Sequence, residues 1–269
     1  MSRIAVLSAI VLVAVVACAV AGPLVWRVDP IATDPAHALA APSAAHPAGT
    51  DEIGRDVLSR LLYGAQLTLL VGLAAMLAAL VLGTFVGAVA GFYGGWVDAL
   101  LMRLTDAMLA VPAFFLILVV VTVAGTGAST LVLVIGGLSW MPVARVVYGE
   151  TRRWRVAEFV VAAESLGATA ARVLARHILP QAVPSLIVSA TLGVAYAILT
   201  ESAVSYLGLG IRPPTPSWGN MLQQAQQYLF TEPSLALYPG AAITVVVLAF
   251  NFLGDGLRDA LDPRTRTRR

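Results

Sequence analysis

The most informative stretch of the chain covers residues 158–180 and reads EFVVAAESLGATAARVLARHILP, a polar segment between long apolar ones. Ala162 and Ala163 are small enough to let two helices pack closely. Gly167 is expected to end the first helix, because glycine adopts the left-handed backbone conformation without steric cost. Pro180 lacks an N–H and clashes with the preceding turn, so it is expected to end the second. The pattern predicts a docking element that presents a short helix to a partner.

The composition around this stretch is that of an integral membrane protein. Hydrophobic residues make up 59% of the 269 residues and charged residues only 12%, which is far from the average of soluble domains. A single cysteine, Cys18, excludes a disulfide framework within the chain. The chain has no lysine. It therefore lacks the GxxxxGK[ST] loop that binds ATP phosphates, and we expect no ATPase motif of its own.

Apolar segments that approach the ~20 residues needed to cross a bilayer occur along the whole chain. They cover residues 4–25, 67–90, 99–124, 131–147, 186–209 and 238–253. The first resembles a secretory signal in part, but its apolar run continues to Val25, which favours a retained helix. The third contains Arg103 and Asp106, so its membrane part is expected to begin near Met108. We predict an all-α, polytopic protein with six transmembrane helices.

The arginines are distributed unevenly between the two sides of the predicted membrane. If the N-terminus is cytosolic, the outer side holds only Arg27, Arg55, Arg60 and Arg212. The positive-inside rule therefore favours a multi-pass protein of the cell membrane with both termini in the cytosol. The outer segment 26–60 is rich in proline and alanine, which predicts an extended, poorly helical loop. The outer segment 211–237 is interpreted either as an interfacial anchor or as a part of an outer gate.

Motifs along most of the chain resemble those of one transporter family. They are GTD at 49–51, GRDVLSR at 54–60, GFYGGWVD at 91–98, SYLGLG at 205–210, PPTPSWGN at 213–220 and NFLGDGLRDALDPR at 251–264. In this order they resemble the permease subunits of dipeptide-, oligopeptide- and nickel-type ABC importers, specifically the second of the two permeases. The resemblance implies the type I importer permease fold. A first helix and external loop would occupy residues 1–66, and the permease domain would occupy residues 67–269.

The opening stretch is then similar to the EAA loop of importer permeases, here about residues 150–184, with a coupling helix over about 157–166. The residues that match its pattern are Ala162, Ala163, Gly167, Leu179 and Pro180. Two positions depart from the family. Val161 stands where the family has Glu, and Gln66 stands where relatives commonly have Arg.

Other residues of the loop receive roles from this resemblance. Glu158 and Glu164, each three residues from position 161, are candidates to supply the missing carboxylate on the same helical face. Phe159 and Leu166 are expected to act as apolar anchors in a groove of the ATPase. A separate pair, Arg172 and Arg176, would bind acidic groups of the ATPase or lipid phosphate, although the positive-inside bias alone also explains them.

The implied role is mechanical rather than enzymatic. The family works as a heterodimer of two permeases with two cytosolic ATPase domains and an extracytoplasmic substrate-binding protein. ATP and Mg²⁺ bind to the ATPase subunits, whose closure moves the coupling helix and alternates access by rigid-body gating. The chain itself is expected to bind no cofactor, metal or nucleic acid.

Polar residues in or beside the predicted spans are candidates for the translocation path or its gate. A charge at the centre of a membrane costs roughly 2.5–3.5 kcal/mol by insertion scales, so such groups face a cavity or a partner helix. A structural hydrogen bond to another span is the alternative interpretation. The candidates are Glu201, Ser205, Trp218 and Asn251.

Three other classes of membrane protein are less consistent with the sequence. A secondary transporter would carry ion-coupling residues in its spans and often an internal repeat, neither of which is visible. An enzyme would bring catalytic groups together, whereas His37, His46 and His177 lie in separate loops. A channel needs no coupling loop. Nickel favours imidazole ligands, and the predicted spans contain no histidine. The family motifs alone are compatible with both substrates, but for this reason we expect short peptides rather than nickel.

Overall fold

A computed structural model describes residues 3–261, and within them the chain folds into successive α-helices. These are α1 (Arg3–Val25), α2 (Val57–Tyr93), α3 (Gly95–Ala110), α4 (Ala113–Ala124), α5 (Ala128–Gly137), α6 (Trp140–Arg155), α7 (Glu158–Ser165), α8 (Ala170–Val173), α9 (Leu179–Tyr206), α10 (Trp218–Ala225) and α11 (Ser234–Leu261). Short 3₁₀ helices occur at Pro35–His37 and Gln226–Tyr228, and a π turn at Leu174–Ile178. The end of the C-terminal motif, residues 262–264, and the arginines at 264, 266, 268 and 269 lie outside the described residues.

The helices confirm a polytopic all-α architecture. Five helical segments are long and apolar enough to cross a membrane, namely Arg3–Val25, Val57–Tyr93, Ala128–Arg155, Ala170–Tyr206 and Ser234–Leu261. A sixth crossing arises if α3 and α4 count as one span. The predicted boundary between residues 66 and 67 falls within α2, and the division of the chain there stays a prediction.

The third predicted span is not the single straight helix expected for residues 99–124. The axes of α3 and α4 differ by 87° across a break at Val111 and Pro112. Proline removes a backbone donor and forces the preceding residue toward extended conformations, and Val111 has φ −84° and ψ 126°. The 12 residues of α4 rise only about 18 Å, less than the ~30 Å hydrocarbon core. The bend lies a few residues after Met108, where the membrane part of this span was predicted to begin.

Glycines of α2 let α6 approach closely along its length. An added Cβ would lie 2.6 Å from the Trp140 carbonyl oxygen at Gly83 and 2.4 Å from that of Ala144 at Gly87. One turn further, an added Cβ at Gly91 would lie 2.8 Å from the Thr151 Cβ. Small residues at four-residue spacing are a usual device for packing membrane helices. The sequence predicts close packing at Gly72, Gly83, Gly87 and Gly193, and the structure confirms it at each.

Buried charges hold the outer segment between α1 and α2 in place. The Arg55 Nε lies 2.6 Å from the Asp51 Oδ2, and the Arg60 Nε lies 3.4 Å from the same oxygen. The Arg60 Nη2 also donates to the Gln224 Oε1 at 2.9 Å, which connects this segment to α10. The segment has little helix, as predicted, but its ion pairs make it a folded part of the structure. Sequence inspection missed this role of the GRD motif.

The first helix packs mainly against α11 and α2. The Gln66 Nε2 donates to the backbone oxygen of Ala19 at 2.7 Å, so an exposed side chain of α2 bonds an α1 carbonyl. This contact gives Gln66, one of the two departures from the family pattern, a structural role.

Candidate functional site

The predicted coupling helix is α7, and it ends at Gly167 as expected. Gly167 has φ +82° and donates to the Glu164 oxygen at 2.9 Å, while the Ala168 N–H donates to the Ala163 oxygen at 3.0 Å. These two bonds form a Schellman motif, which satisfies the free carbonyls at a helix C-terminus. No atom lies within 4 Å of a Cβ built at Gly167. Glycine is therefore required here by backbone conformation and not by space.

A small apolar core attaches α7 to the membrane helices. Val160 is fully buried and packs with Phe92, Val173 and Ile178, which come from α2, α8 and the π turn. The guanidinium carbon of Arg155 lies 4.1 Å from the centroid of the Phe92 ring. Because close-packed interiors resist deformation, a force applied to α7 reaches the ends of α2 and α9.

Another face of α7 and its C-terminal turn is largely exposed within the described residues, although the Phe159 ring lies 6.0 Å from that of Trp154. Leu166 is 90% exposed and Phe159 is 42% exposed. Ala162 lies on this exposed face and Ala163 is half-buried, while Val160 rather than an alanine occupies the buried position of this short helix. The expected role of the two alanines in close helix packing stays a prediction. Val156, 78% exposed and missed by the sequence analysis, extends the apolar surface.

The two candidate carboxylates differ in their surroundings. The Glu164 Oε1 lies 3.7 Å from the Arg155 Nη1, so this carboxylate is already paired inside the loop. The Glu158 side chain is exposed and forms no ion pair within residues 3–261. Val161 itself is 51% exposed. Of the two glutamates, Glu158 is therefore the one that remains free to contact another molecule.

Pro180 does not end a helix, contrary to prediction. The chain continues from α8 through the π turn into α9, and the Leu179 N–H donates to the Leu174 oxygen five residues earlier. The wider turn accommodates a ring that lacks an N–H and would clash with a regular α-helical carbonyl. Arg172 of α8 and Arg176 of the π turn are exposed. They form no ion pair within the part of the chain that the structure describes.

A second polar site lies in the buried part of α9, centred on Glu201. The Ser205 hydroxyl donates to Oε1 at 2.8 Å and the Ser202 hydroxyl donates to Oε2 at 3.3 Å. The hydroxyls of Ser217 and Thr68 are further hydrogen-bond partners of this fully buried carboxyl. We call these five residues the Glu201 network. It joins α2, α9 and the residue that caps α10.

The Glu201 network fixes the start of α10. The Ser217 hydroxyl accepts from the Asn220 N–H at 3.2 Å, and the Asn220 side chain accepts from the Ser217 N–H at 3.0 Å, a reciprocal capping box. Trp218 is buried, and its Nε1 donates to the Leu61 oxygen at 3.0 Å. The structure thus brings together three of the four path or gate candidates. The fourth, Asn251, lies apart on α11 and donates to the Val247 oxygen of its own helix.

The chain is similar to proteins of one transporter family. A family model described as binding-protein-dependent transport system inner membrane component matches residues 79–267. The chain is 39% identical to the dipeptide transport system permease protein of Alkalihalophilus pseudofirmus, over 99% of its own length and 88% of the relative. It is 36% identical to the oligopeptide transport system permease protein of Bacillus subtilis, over 98% and 87%. It is 42% identical to the glutathione transport system permease protein of Escherichia coli, over 84% and 74%.

The Glu201 network predicts how substitutions of this carboxyl affect folding. Glu201→Leu removes the acceptor of several buried hydroxyls and is expected to lower the free energy of unfolding by about 1–3 kcal/mol. Glu201→Gln keeps an acceptor oxygen and should lose less. Thermal unfolding of the purified protein in detergent, with the yield of folded protein, measures both. Asn251→Leu is the control, because its amide contacts only its own helix; wild-type unfolding of Glu201→Leu would contradict the structural role.

Proposed function

We propose that this chain, which belongs to the family of binding-protein-dependent transport system inner membrane components, is the membrane-spanning permease of an ATP-driven peptide importer. The family resemblance read from the sequence motifs is confirmed by these matches. The observation that carries the substrate class is the similarity over nearly the whole chain to permeases named for dipeptides and oligopeptides. Import of nickel or another small solute by the same architecture is the alternative that the uptake experiment below distinguishes.

The exposed face of α7 is proposed to dock into a groove on a cytosolic ATPase. Phe159 and Leu166 supply exposed apolar side chains, and the small Ala162 between them lets a partner approach the helix. Glu158 is the free carboxylate beside Val161 and takes the place of the family's Glu. Since Val160 ties α7 to α2 and α9, closure of the ATPases would move these helices as a rigid body.

The remaining partners follow from the family. A second, homologous permease completes a heterodimer around the path, and two ATPase domains bind ATP and Mg²⁺. An extracytoplasmic binding protein delivers the substrate. This chain supplies no catalytic group and binds no cofactor of its own. The Glu201 network is proposed to hold α10 against α9 at the outer end of the path.

The arginine distribution supports cytosolic termini and predicts the result of cysteine labelling. In a Cys18→Ser background, an impermeant thiol reagent added to intact cells should modify Ser43→Cys in the outer segment. It should leave Thr169→Cys, beside the coupling helix, unmodified until the membrane is permeabilised. Both positions are exposed in the structure. Modification of position 169 in intact cells would contradict the orientation.

Uptake by a strain that lacks the gene tests the substrate class. An amino-acid auxotroph without this permease is expected to lose growth on di- and oligopeptides, and a plasmid copy should restore it. Nickel-dependent enzyme activity should not change, because peptide and metal would enter by different routes. Normal peptide uptake together with lost nickel accumulation would overturn the proposal in favour of the alternative.

Two substitutions of Gly167 test the coupling role. Gly167→Val places a β-branched side chain at a left-handed position and costs about 1–3 kcal/mol of backbone strain. We expect copurification of the ATPases and peptide uptake to fall about tenfold, with normal amounts of permease in the membrane. Gly167→Asn enters the same open space but tolerates this conformation, so it should retain most activity. Equal activity of the two variants would show that this turn does not matter for docking.

A further inference from the structure

Two neighbouring cavities lie along the side of α9 that faces α6. The inner cavity, about 640 Å³, lies between α6, α9 and α11 near the coupling loop. The central cavity, about 330 Å³, lies between α2, α6, α9 and the α3–α4 bend. Val146, Ser189 and Leu192 line both. The inner cavity alone has the volume of a small-molecule site, which is about 300–1,000 Å³.

Together the two cavities extend along much of α9. Their lining on α9 extends from Gln181 to Tyr196, a rise of about 22 Å of the ~30 Å hydrocarbon core. Beyond Tyr196, the side chains of the Glu201 network are buried between α2, α9 and α10.

The polarity of their lining changes along this length. The central cavity is lined mainly by apolar side chains, among them Met76, Leu109 and Met141. The lining of the inner cavity also includes one carboxylate, Glu150, and two guanidinium groups, Arg153 and Arg258. Polar groups at a cavity that is otherwise apolar orient a ligand rather than merely admit one.

The carboxylate of the inner cavity is held in a fixed orientation. The Ser185 hydroxyl donates to the Glu150 Oε1 at 2.7 Å, and the Trp154 Nε1 donates to Oε2 at 3.1 Å. Arg153 is more loosely placed, with its Nη1 3.9 Å from the same Oε2. The Glu150 side chain is only 19% exposed. A fixed anion and two exposed cations that line the same cavity are complementary to a molecule that carries both charges.

We propose that the inner cavity binds the transported peptide before release, with Glu150 at its amino terminus and Arg153 and Arg258 at its carboxylate. This inference rests on the proposed function, peptide import. The observations favour a peptide over a lipid for two reasons. Acyl chains gain nothing from three charged groups, and the phosphate of an anionic lipid would meet the like charge of Glu150. The peptide would reach this site through the apolar central cavity, which it would cross without strong binding.

Cysteine protection in the assembled transporter tests the site. In a Cys18→Ser background, Ser189→Cys places a thiol at a position that lines both cavities. The complete complex in lipid nanodiscs is treated with a charged thiol reagent, and modification of this chain is followed by mass spectrometry. Trialanine should slow the modification. N-acetylation or C-terminal amidation of trialanine should raise the half-protecting concentration about tenfold each, which corresponds to ~1.4 kcal/mol.

Charge-neutralising variants identify the groups that bind each terminus. Glu150→Gln retains an acceptor oxygen for its neighbours, so it should weaken protection by trialanine about tenfold and abolish the effect of N-acetylation. Arg258→Gln should likewise weaken protection by trialanine about tenfold and abolish the effect of C-terminal amidation. The matched control is Ala190→Cys, the next residue of α9, which faces an apolar groove on the other side of the helix. Trialanine should not affect its modification.

Each other outcome overturns the inference. An unreactive Ser189→Cys means that the second permease fills the cavities. Protection by added phosphatidylglycerol or phosphatidylethanolamine, but not by trialanine, identifies a lipid site. Additive losses from Glu150→Gln and N-acetylation mean that the carboxylate acts only through the fold. No protection in a complex that imports trialanine removes the release site and leaves the proposed function intact, whereas absence of peptide import by the same complex contradicts the function itself.

Discussion

Inside a bilayer no water is available to backbone N–H and C=O groups, so each segment that crosses must satisfy them within its own helix. The helices of this chain that are long and apolar enough to span obey this constraint. Their interruptions occur at residues with a local reason, such as Pro112 between α3 and α4. The π turn before Pro180 keeps the backbone bonded where a regular helix would lose a donor and clash.

Within that constraint, contacts between helices depend on the absence of side chains as much as on their presence. Gly83, Gly87 and Gly91 lower the separation of α2 and α6 to backbone contact. Because α6 leads directly into α7, this contact places the coupling helix beside the end of α2. Phe92 and Val160 then complete the attachment. The proposed coupling helix is therefore attached to a closely packed helix pair.

The helix α9 connects the loop after α7, the two cavities and the Glu201 network. At one end it continues from the coupling loop through the π turn, and at the other it carries Glu201 and Ser205 against α10. Between them it lines the two cavities. Movement of α9 relative to α6 would change the cavity and the contact with α10 together. Hydroxyl groups, rather than an arginine, are the hydrogen-bond partners of the Glu201 carboxyl.

Short-range preferences account for what the sequence predicted correctly. Apolar runs located the spans, Gly167 ended α7, and motif order identified the family, because each depends on neighbouring residues alone. Packing decided the remainder. Ala162 points outward because Val160 takes the buried position, and Glu164 is engaged because Arg155 lies beside it. Glu201 finds hydroxyls as far along the chain as Thr68 and Ser217, and no local pattern encodes partners at that separation. The tertiary structure alone decides these, since a buried polar group is satisfied by whatever the fold brings within reach.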